Sequence, residues 1–182
     1  MSHQHRKFLL LEYDPEWVKI FEETAGVLKN IFGDNLARVH HIGSTAIPGM
    51  VAKPQVDILV EVKDLDRVKD TYAEMEKAGF KSMGRTYTRR PDNEYFVKDS
   101  SVGERLVSVH SYQEGNPEIQ NILVFRDFLR KDEKARNAYV NKKKELYTQY
   151  SDDYPSYRKG KFELIEKLKQ EAMEWKTRNV GK

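Results

Sequence analysis

The chain of 182 residues is 38% hydrophobic, 34% charged and 11% aromatic, with 32 basic against 29 acidic side chains and a net charge of +3. Such a length buries a substantial core, and the aromatic content argues against disorder. The lack of cysteine excludes disulfide scaffolds, thiolate zinc sites and cysteine nucleophiles, the apolar runs fall short of the roughly 18–20 residues that cross a bilayer, and the near balance of charge argues against nucleic acid as a partner.

Residues 1–7 are polar and basic, and the brief apolar patch after them is cut by Glu12 and Asp14. No signal peptide is expected, and a cytoplasmic location is. Asp14-Pro15 marks a helix start, since aspartate accepts from free amides and proline loses nothing at the first position. Trp17, Ile20, Phe21, Leu28 and Ile31 then recur at helical spacing up to Gly33. Residues 36–42 read as a short strand and 43–54 as a glycine- and proline-rich loop. Residues 55–62 alternate cleanly: Val56, Ile58, Val60 and Val62 on one face, Asp57, Leu59 and Glu61 on the other. A helix is expected over 64–78, closed by Gly79, then a short strand at 80–83. A hairpin of 87–90 and 95–98 is expected around Pro91-Asp92-Asn93, and an alternating strand over 105–112.

From Asn116-Pro117 the pattern is helical, with segments predicted at 117–131, 133–150 and 155–177. Ala135, Tyr139, Lys142 and Leu146 share a face in the second, and Phe162, Ile165, Leu168 and Ala172 in the third. Tyr139, Tyr147, Tyr150, Tyr154 and Tyr157 are read as packing between these helices. The basic runs Lys142-Lys143-Lys144 and Arg158-Lys159-Gly160-Lys161 read as solvated helix faces. The class is α+β: a mixed core over about 10–115 and a helical tail over about 116–177, together one domain.

The stretch that carries chemistry is His41-Ile42-Gly43-Ser44-Thr45 with Lys53 and Asp57. A strand runs into Gly43, where a backbone amide can approach a phosphate, and the Ser44 and Thr45 hydroxyls add donors. Lys53 supplies a point charge. A carboxylate on the next strand, Asp57, suits a cation that bridges to phosphate.

A Gly-Ser pair followed by a strand acid resembles the nucleotidyltransferase superfamily, the fold of DNA polymerase beta. The chain more closely resembles the GrpB family. The stretches that carry this are 13–17, 41–49, Ala52-Lys53-Pro54 with Asp57-Ile58, His110 before Glu114-Gly115-Asn116-Pro117-Glu118, and Phe125-Arg126-Asp127-Phe128-Leu129-Arg130. They extend the resemblance from about 10 to 171. It implies a nucleotidyltransferase-like α+β core with flanking and C-terminal helices in a bacterial cytoplasmic protein, and no defined reaction. Some relatives of this kind are fused to dephospho-CoA kinase, which hints at coenzyme or nucleotide metabolism.

The pattern departs from active nucleotidyltransferases of this type at one position. They carry Asp-x-Asp on the strand, and here the second position is Leu59. Glu61 lies four residues from Asp57, about 13 Å along a strand, too far to replace it. On the later strand Ser108, His110 and Tyr112 share a face, so Asp57 and His110, with Ser44, suggest a single-metal or general-base arrangement. Mixed nitrogen and oxygen donors suit manganese or zinc better than magnesium. The resemblance makes Arg126 a second candidate grip on phosphate, the other possibility being an internal ion pair that anchors the tail. Arg89, Arg90 and Arg105 are weaker candidates, and His41 is expected to make a structural hydrogen bond.

Two functions follow as expectations. One is a nucleotidyltransferase-like protein that binds a nucleotide or another phosphorylated small molecule through Gly43, Ser44, Thr45, Lys53 and Arg126, with a divalent cation (magnesium, manganese or zinc) and proton-transfer chemistry on Asp57 and His110. The other is a degenerate, non-catalytic transferase domain that senses a ligand or binds a protein.

Overall fold

The structure, a computed structural model, describes residues 8–85 and 91–179. Helix α1, Glu16–Phe32, starts as the sequence predicts: Asp14 accepts from the Glu16 amide at 2.9 Å. Strands β1, Leu36–Ile42, and β2, Val56–Val62, follow, then a 3-10 segment at Asp66–Thr71 that runs into α2, Tyr72–Lys77. The single helix expected over 64–78 is thus divided. Leu65, Val68 and Thr71 are all buried, and their spacing of three matches the 3-10 repeat rather than the α repeat. Strands β3, Lys81–Ser82, β4, Glu94–Asp99, and β5, Arg105–Gln113, complete a five-stranded sheet of order β1-β2-β5-β4-β3. The sheet is mixed: β2 and β5 are parallel and the other pairs antiparallel. The expected hairpin partner at 87–90 lies outside the described residues, and β4 pairs with β3 and β5.

Helices α3, Pro117–Lys131, and α4, Glu133–Tyr150, match their predicted spans and begin on side-chain caps from Asn116 and Asp132. The third predicted helix is two, α5, Tyr154–Gly160, and α6, Phe162–Asn179. At their junction a Cβ on Gly160 would lie 2.5 Å from Leu146 Cδ2. Only glycine lets this backbone approach α4 so closely. Two other expectations are corrected here. Lys143, not Lys142, joins Ala135, Tyr139 and Leu146 on the buried face of α4, while Lys142 pairs with Glu145 at the surface. Phe162 is 63% exposed, whereas Leu168 and Ala172 are buried.

The sheet is covered on both faces. Val56, Ile58, Val60 and Val62 pack against Trp17, Leu28 and Phe32 of α1. On the opposite face Leu59 packs with Ile42, Tyr112 and Ile119, under α3. A third cluster joins the loop residues Ile47 and Met50 to Phe128, Leu129, Tyr139, Leu168 and Ala172 of the tail. Three tail cations also seize carbonyls of the same region: Arg126 donates to the His41 carbonyl at 2.9 Å, Arg130 to Ala46 at 2.9 Å and Lys143 to Val51 at 2.7 Å. These bonds fix the loop over 43–54 against the tail. Among the described residues no helix is long and apolar enough to cross a membrane.

Gly160→Ala forces its methyl into Leu146, a buried neighbour with little room to shift. Overpacking of this kind costs about 1–3 kcal/mol, so the variant is expected to melt several degrees below the wild type by calorimetry while binding-loop contacts remain intact.

Candidate functional site

Asp57 stands at the start of β2 on the α3 face, opposite Ile42 of β1 and Ser108 of β5. The turn after β1 brings Gly43 against it. Gly43 has φ +70°, and a Cβ there would meet Asp57 Oδ2 at 2.6 Å. Both the left-handed backbone and the close approach require glycine. Gln55 donates its amide to Asp57 Oδ1 at 2.9 Å and to Ser108 Oγ at 3.0 Å, and Tyr95 Oη meets Ser108 Oγ at 2.9 Å. Asp57 keeps an open edge at the bottom of a cavity. Its depth pushes the carboxyl above the usual carboxylate range, against the opposing pull of the Gln55 hydrogen bond and of Lys53, Lys143 and Arg105.

Two cavities meet at Ser44 and Asp57. The larger, about 800 Å³, lies between the sheet and helices α3 and α6, with Ile42, Ile122, Phe125 and Tyr139 in its apolar wall and His110, Arg126, Glu118 and Glu166 among its polar groups. The smaller, about 150 Å³, lies between Ser44, Gln55 and Asp57 on one side and Lys53, Lys143, Lys161, Tyr154 and Tyr157 on the other. Lys143 Nζ donates to Ser44 Oγ at 2.6 Å and lies 4.7 Å from the Tyr139 ring centroid. Lys53 and Lys161 lie over the rings of Tyr154 and Tyr157, at 4.1 and 4.3 Å. Burial, with Lys161 and Lys53 beside it, pushes the Lys143 amine well below its ordinary value, and only Asp57 acts the other way. Burial, Lys53 and Arg158 bring Lys161 down to about 8.

The structure gathers Gly43, Ser44, Lys53, Asp57, His110 and Arg126 around these two spaces. Thr45 also lines the smaller cavity, but it is 1% exposed and its hydroxyl is engaged by His41 Nε2 at 3.0 Å. His41 makes the expected structural bond and also stacks on Phe21. Arg126 both anchors and lines: it bonds the His41 carbonyl and Asp127 while bordering the large cavity. His110 neighbours Leu59 rather than Asp57 in the sheet register, with Nδ1 3.2 Å from the Asn93 amide. Ser108 is the strand neighbour of Asp57, but its hydroxyl bonds Gln55 and Tyr95. Glu61 belongs to another cluster, bonded to His40 at 2.6 Å and Arg38 at 3.3 Å. Arg105 points to Tyr95 and Asp99, and Arg89 and Arg90 lie outside the described residues.

The residues that sequence reasoning missed are Lys143, Lys161, Tyr154, Tyr157 and Gln55. Both basic runs that read as solvated faces contribute one lysine to the small cavity, and two of the tail tyrosines are its wall. Gln55 had a signal: it shares a strand face with Asp57 two residues away.

Among the described residues no three histidine, aspartate or glutamate side chains converge to hold an ion, and Leu59, where a second carboxylate would stand, is fully buried among apolar groups. Two-metal chemistry needs ligands for both ions, and on β2 Asp57 has no second carboxylate two residues on.

A mixed sheet with a Gly-Ser turn facing a strand acid, capped by helices, is a nucleotidyltransferase-like fold. In agreement, the fold aligns with Cid1 poly(U) polymerase at a TM-score of 0.55 and 16% identity, over 83% of this chain and 49% of that one, a likeness of fold alone. Residues 7–171 match the family described as GrpB protein, and the chain belongs to the GrpB family. The crystal structure of conserved protein GrpB from Enterococcus faecalis aligns at a TM-score of 0.84 with 35% identity, over 91% of this chain and 98% of that one. UPF0157 protein YqkA of Bacillus subtilis is 36% identical over 94% of this chain and 49% of its own length, so the chain spans about half of that relative. A dephospho-CoA kinase of Mycolicibacterium paratuberculosis is 27% identical over 91% of this chain and 46% of its own length.

Burial, Arg130 and Arg126 depress the His41 pKa to about 4. The folded state holds this ring neutral while the unfolded chain takes up a proton below about 6.5. The stabilisation is therefore complete above that value and is lost as pH falls from 6.5 to 4, by roughly 3 kcal/mol at most. Denaturant melts across this window should slope for the wild type and lie flatter for His41→Gln.

Proposed function

We propose that the chain binds a nucleotide or a related phosphorylated small molecule across the two cavities. Its phosphate groups would lie in the small lysine-lined cavity, beside Gly43 and Ser44. Its organic part would fill the larger one, with Arg126 at the margin. The observation that carries this reading is the junction itself: a mostly apolar space of about 800 Å³ and a basic one of about 150 Å³ share Ser44 and Asp57. The first is of the size that encloses small ligands. In the second, three lysines face a single aspartate, and a bound anion relieves their mutual repulsion. The nucleotidyltransferase-like fold and the dephospho-CoA kinase relative support a ligand of the nucleotide or coenzyme class.

Asp57 and His110 would meet the ligand from the sheet side, where they are placed to exchange protons with it. A magnesium, manganese or zinc ion on Asp57 enters this reading with the phosphate, which supplies the donors that the protein lacks. Any reaction would be nucleotidyl or phosphoryl transfer, in which positioning and charge neutralisation do most of the catalysis. Leu59 favours a second reading, a degenerate domain that keeps the ligand site and has lost turnover.

Thermal shift and calorimetry with pyrophosphate, nucleoside triphosphates and dephospho-coenzyme A, each with and without these ions, test the proposal. A ligand at a hundredfold excess over Kd adds about 2.7 kcal/mol of stability. The expected result is a shift with at least one phosphate compound that weakens tenfold or more in Lys161→Met and Lys53→Met. Divalent ions alone should give none. Absence of a shift with every phosphate compound refutes the reading, and binding without release of product over hours selects the sensing module.

A further inference from the structure

The contact between Lys143 and Ser44 has the form of an activated nucleophile. Nζ stands 2.6 Å from Ser44 Oγ, within the reach that a base needs to take a hydroxyl proton. Its other polar partner is the Val51 carbonyl at 2.7 Å, which accepts one amine hydrogen and orients the group. As an ammonium the group donates to both oxygens, and once neutral it can keep its bond to Val51 and turn its lone pair to the Ser44 hydroxyl, which then becomes the donor. Among the described residues no carboxylate lies within ion-pair reach of Nζ. Lys143 is 2% exposed, and the charged groups that face it are Lys161, Asp57 and Lys53. Burial and the two lysines favour the neutral amine, and Asp57 opposes them. Ser44, by contrast, is open to both cavities. A buried, oriented amine on a serine that faces ligand space is the arrangement of Ser-Lys nucleophilic sites on unrelated folds.

We propose that Ser44 is a covalent phosphoryl or nucleotidyl acceptor and that Lys143 is its general base. The inference rests on the reading of the cavities as a phosphoester site. Ser44 Oγ attacks the phosphorus of a phosphoric anhydride. The bond from phosphorus to the bridging oxygen breaks, and its electron pair leaves with the departing phosphate or pyrophosphate. The Ser44 proton passes to Lys143 Nζ. The products are a serine phosphoester, a lysine ammonium and the leaving group, with Lys53 and Lys161 placed to neutralise the anionic oxygens. This route uses no second carboxylate, so Leu59 does not obstruct it.

A fluorophosphonate tests nucleophilicity without knowledge of the natural ligand, because an activated serine displaces its fluoride and keeps the phosphonyl group. The full chain is treated with an ethyl fluorophosphonate and mapped by peptide mass spectrometry. The expected result is one adduct per chain on Ser44, slowed by pyrophosphate, with a rate about a hundredfold lower in Lys143→Met, the lower range of a general-base contribution. Circular dichroism establishes whether that variant folds. Where it does not, the wild-type pH profile decides: the labelling rate should level off above an ionisation far below the ordinary lysine value. No adduct on Ser44 in the folded wild type overturns the proposal, as does an equal rate in folded Lys143→Met or a rate that climbs with hydroxide without a plateau. Calorimetry of pyrophosphate on the wild type separates the two claims. Binding without an adduct removes the nucleophile and leaves the phosphoester site, whereas no binding removes the site as well.

Discussion

A lysine amine carried from α4 into the heart of the molecule holds the site together. Lys143 reaches back 99 residues to Ser44 and 92 to Val51. Burying an unpaired charge costs several kcal/mol, and the amine answers with two short hydrogen bonds and the face of Tyr139 rather than with an ion pair. Arg126 and Arg130 repeat the device from α3 on the carbonyls of His41 and Ala46. The stretch from His41 to Val51 therefore takes its conformation from the tail as much as from the sheet, and the two cavities exist because that stretch is held between them.

The same arrangement explains the charge balance around Asp57. A carboxylate near the bottom of a cavity needs positive charge close by or it takes up a proton. Here the compensation comes from Lys53 and Lys143, with Gln55 on one oxygen. Leu59 closes the sheet face beside it with Ile42, Tyr112 and Ile119. A second acid at that position would face this apolar cluster without a partner, so the leucine is part of the packing that seats α3 on the sheet. The residue that departs from the Asp-x-Asp pattern is thus also the one that makes a tight contact between sheet and helix.

Most of the sheet and the helix starts were legible in the sequence. Alternation in 55–62 and 105–112 marks strands whose two faces differ, and Asp14-Pro15 and Asn116-Pro117 mark caps that form as expected. Gly43, Ser44, Lys53 and Asp57 were legible because they stand close together along the chain. What failed has a common cause. Lys142 and Lys143 are both compatible with a stripe through Tyr139 and Leu146, since residues three and four apart share a helix face. Only the packing of α4 on the loop selects the second. At the break by Gly160 a Cβ would meet Leu146 of another helix, a contact that no local pattern records. A basic run announces charge and hides which of its members turns inward.

That hidden turn decides what the tail is for. Were α4 and α5 merely a solvated cover, their lysines would repel one another freely in water at little cost. Instead Lys143 and Lys161 share a cavity of about 150 Å³ with Lys53, with Asp57 as the one carboxylate in its lining. The tyrosine faces beneath Lys53, Lys143 and Lys161 offset part of the cost of holding like charges together, while burial first, then Lys53 and Arg158, lower the Lys161 amine to about 8. A fold that keeps three amines in so small a space, one from α4 and one from the junction of α5 and α6, drives the buried ones toward their neutral form. An anion of phosphate size would relieve that pressure, and on the proposed reading the tail is the half of the molecule that completes the surroundings of Asp57 as a place for one.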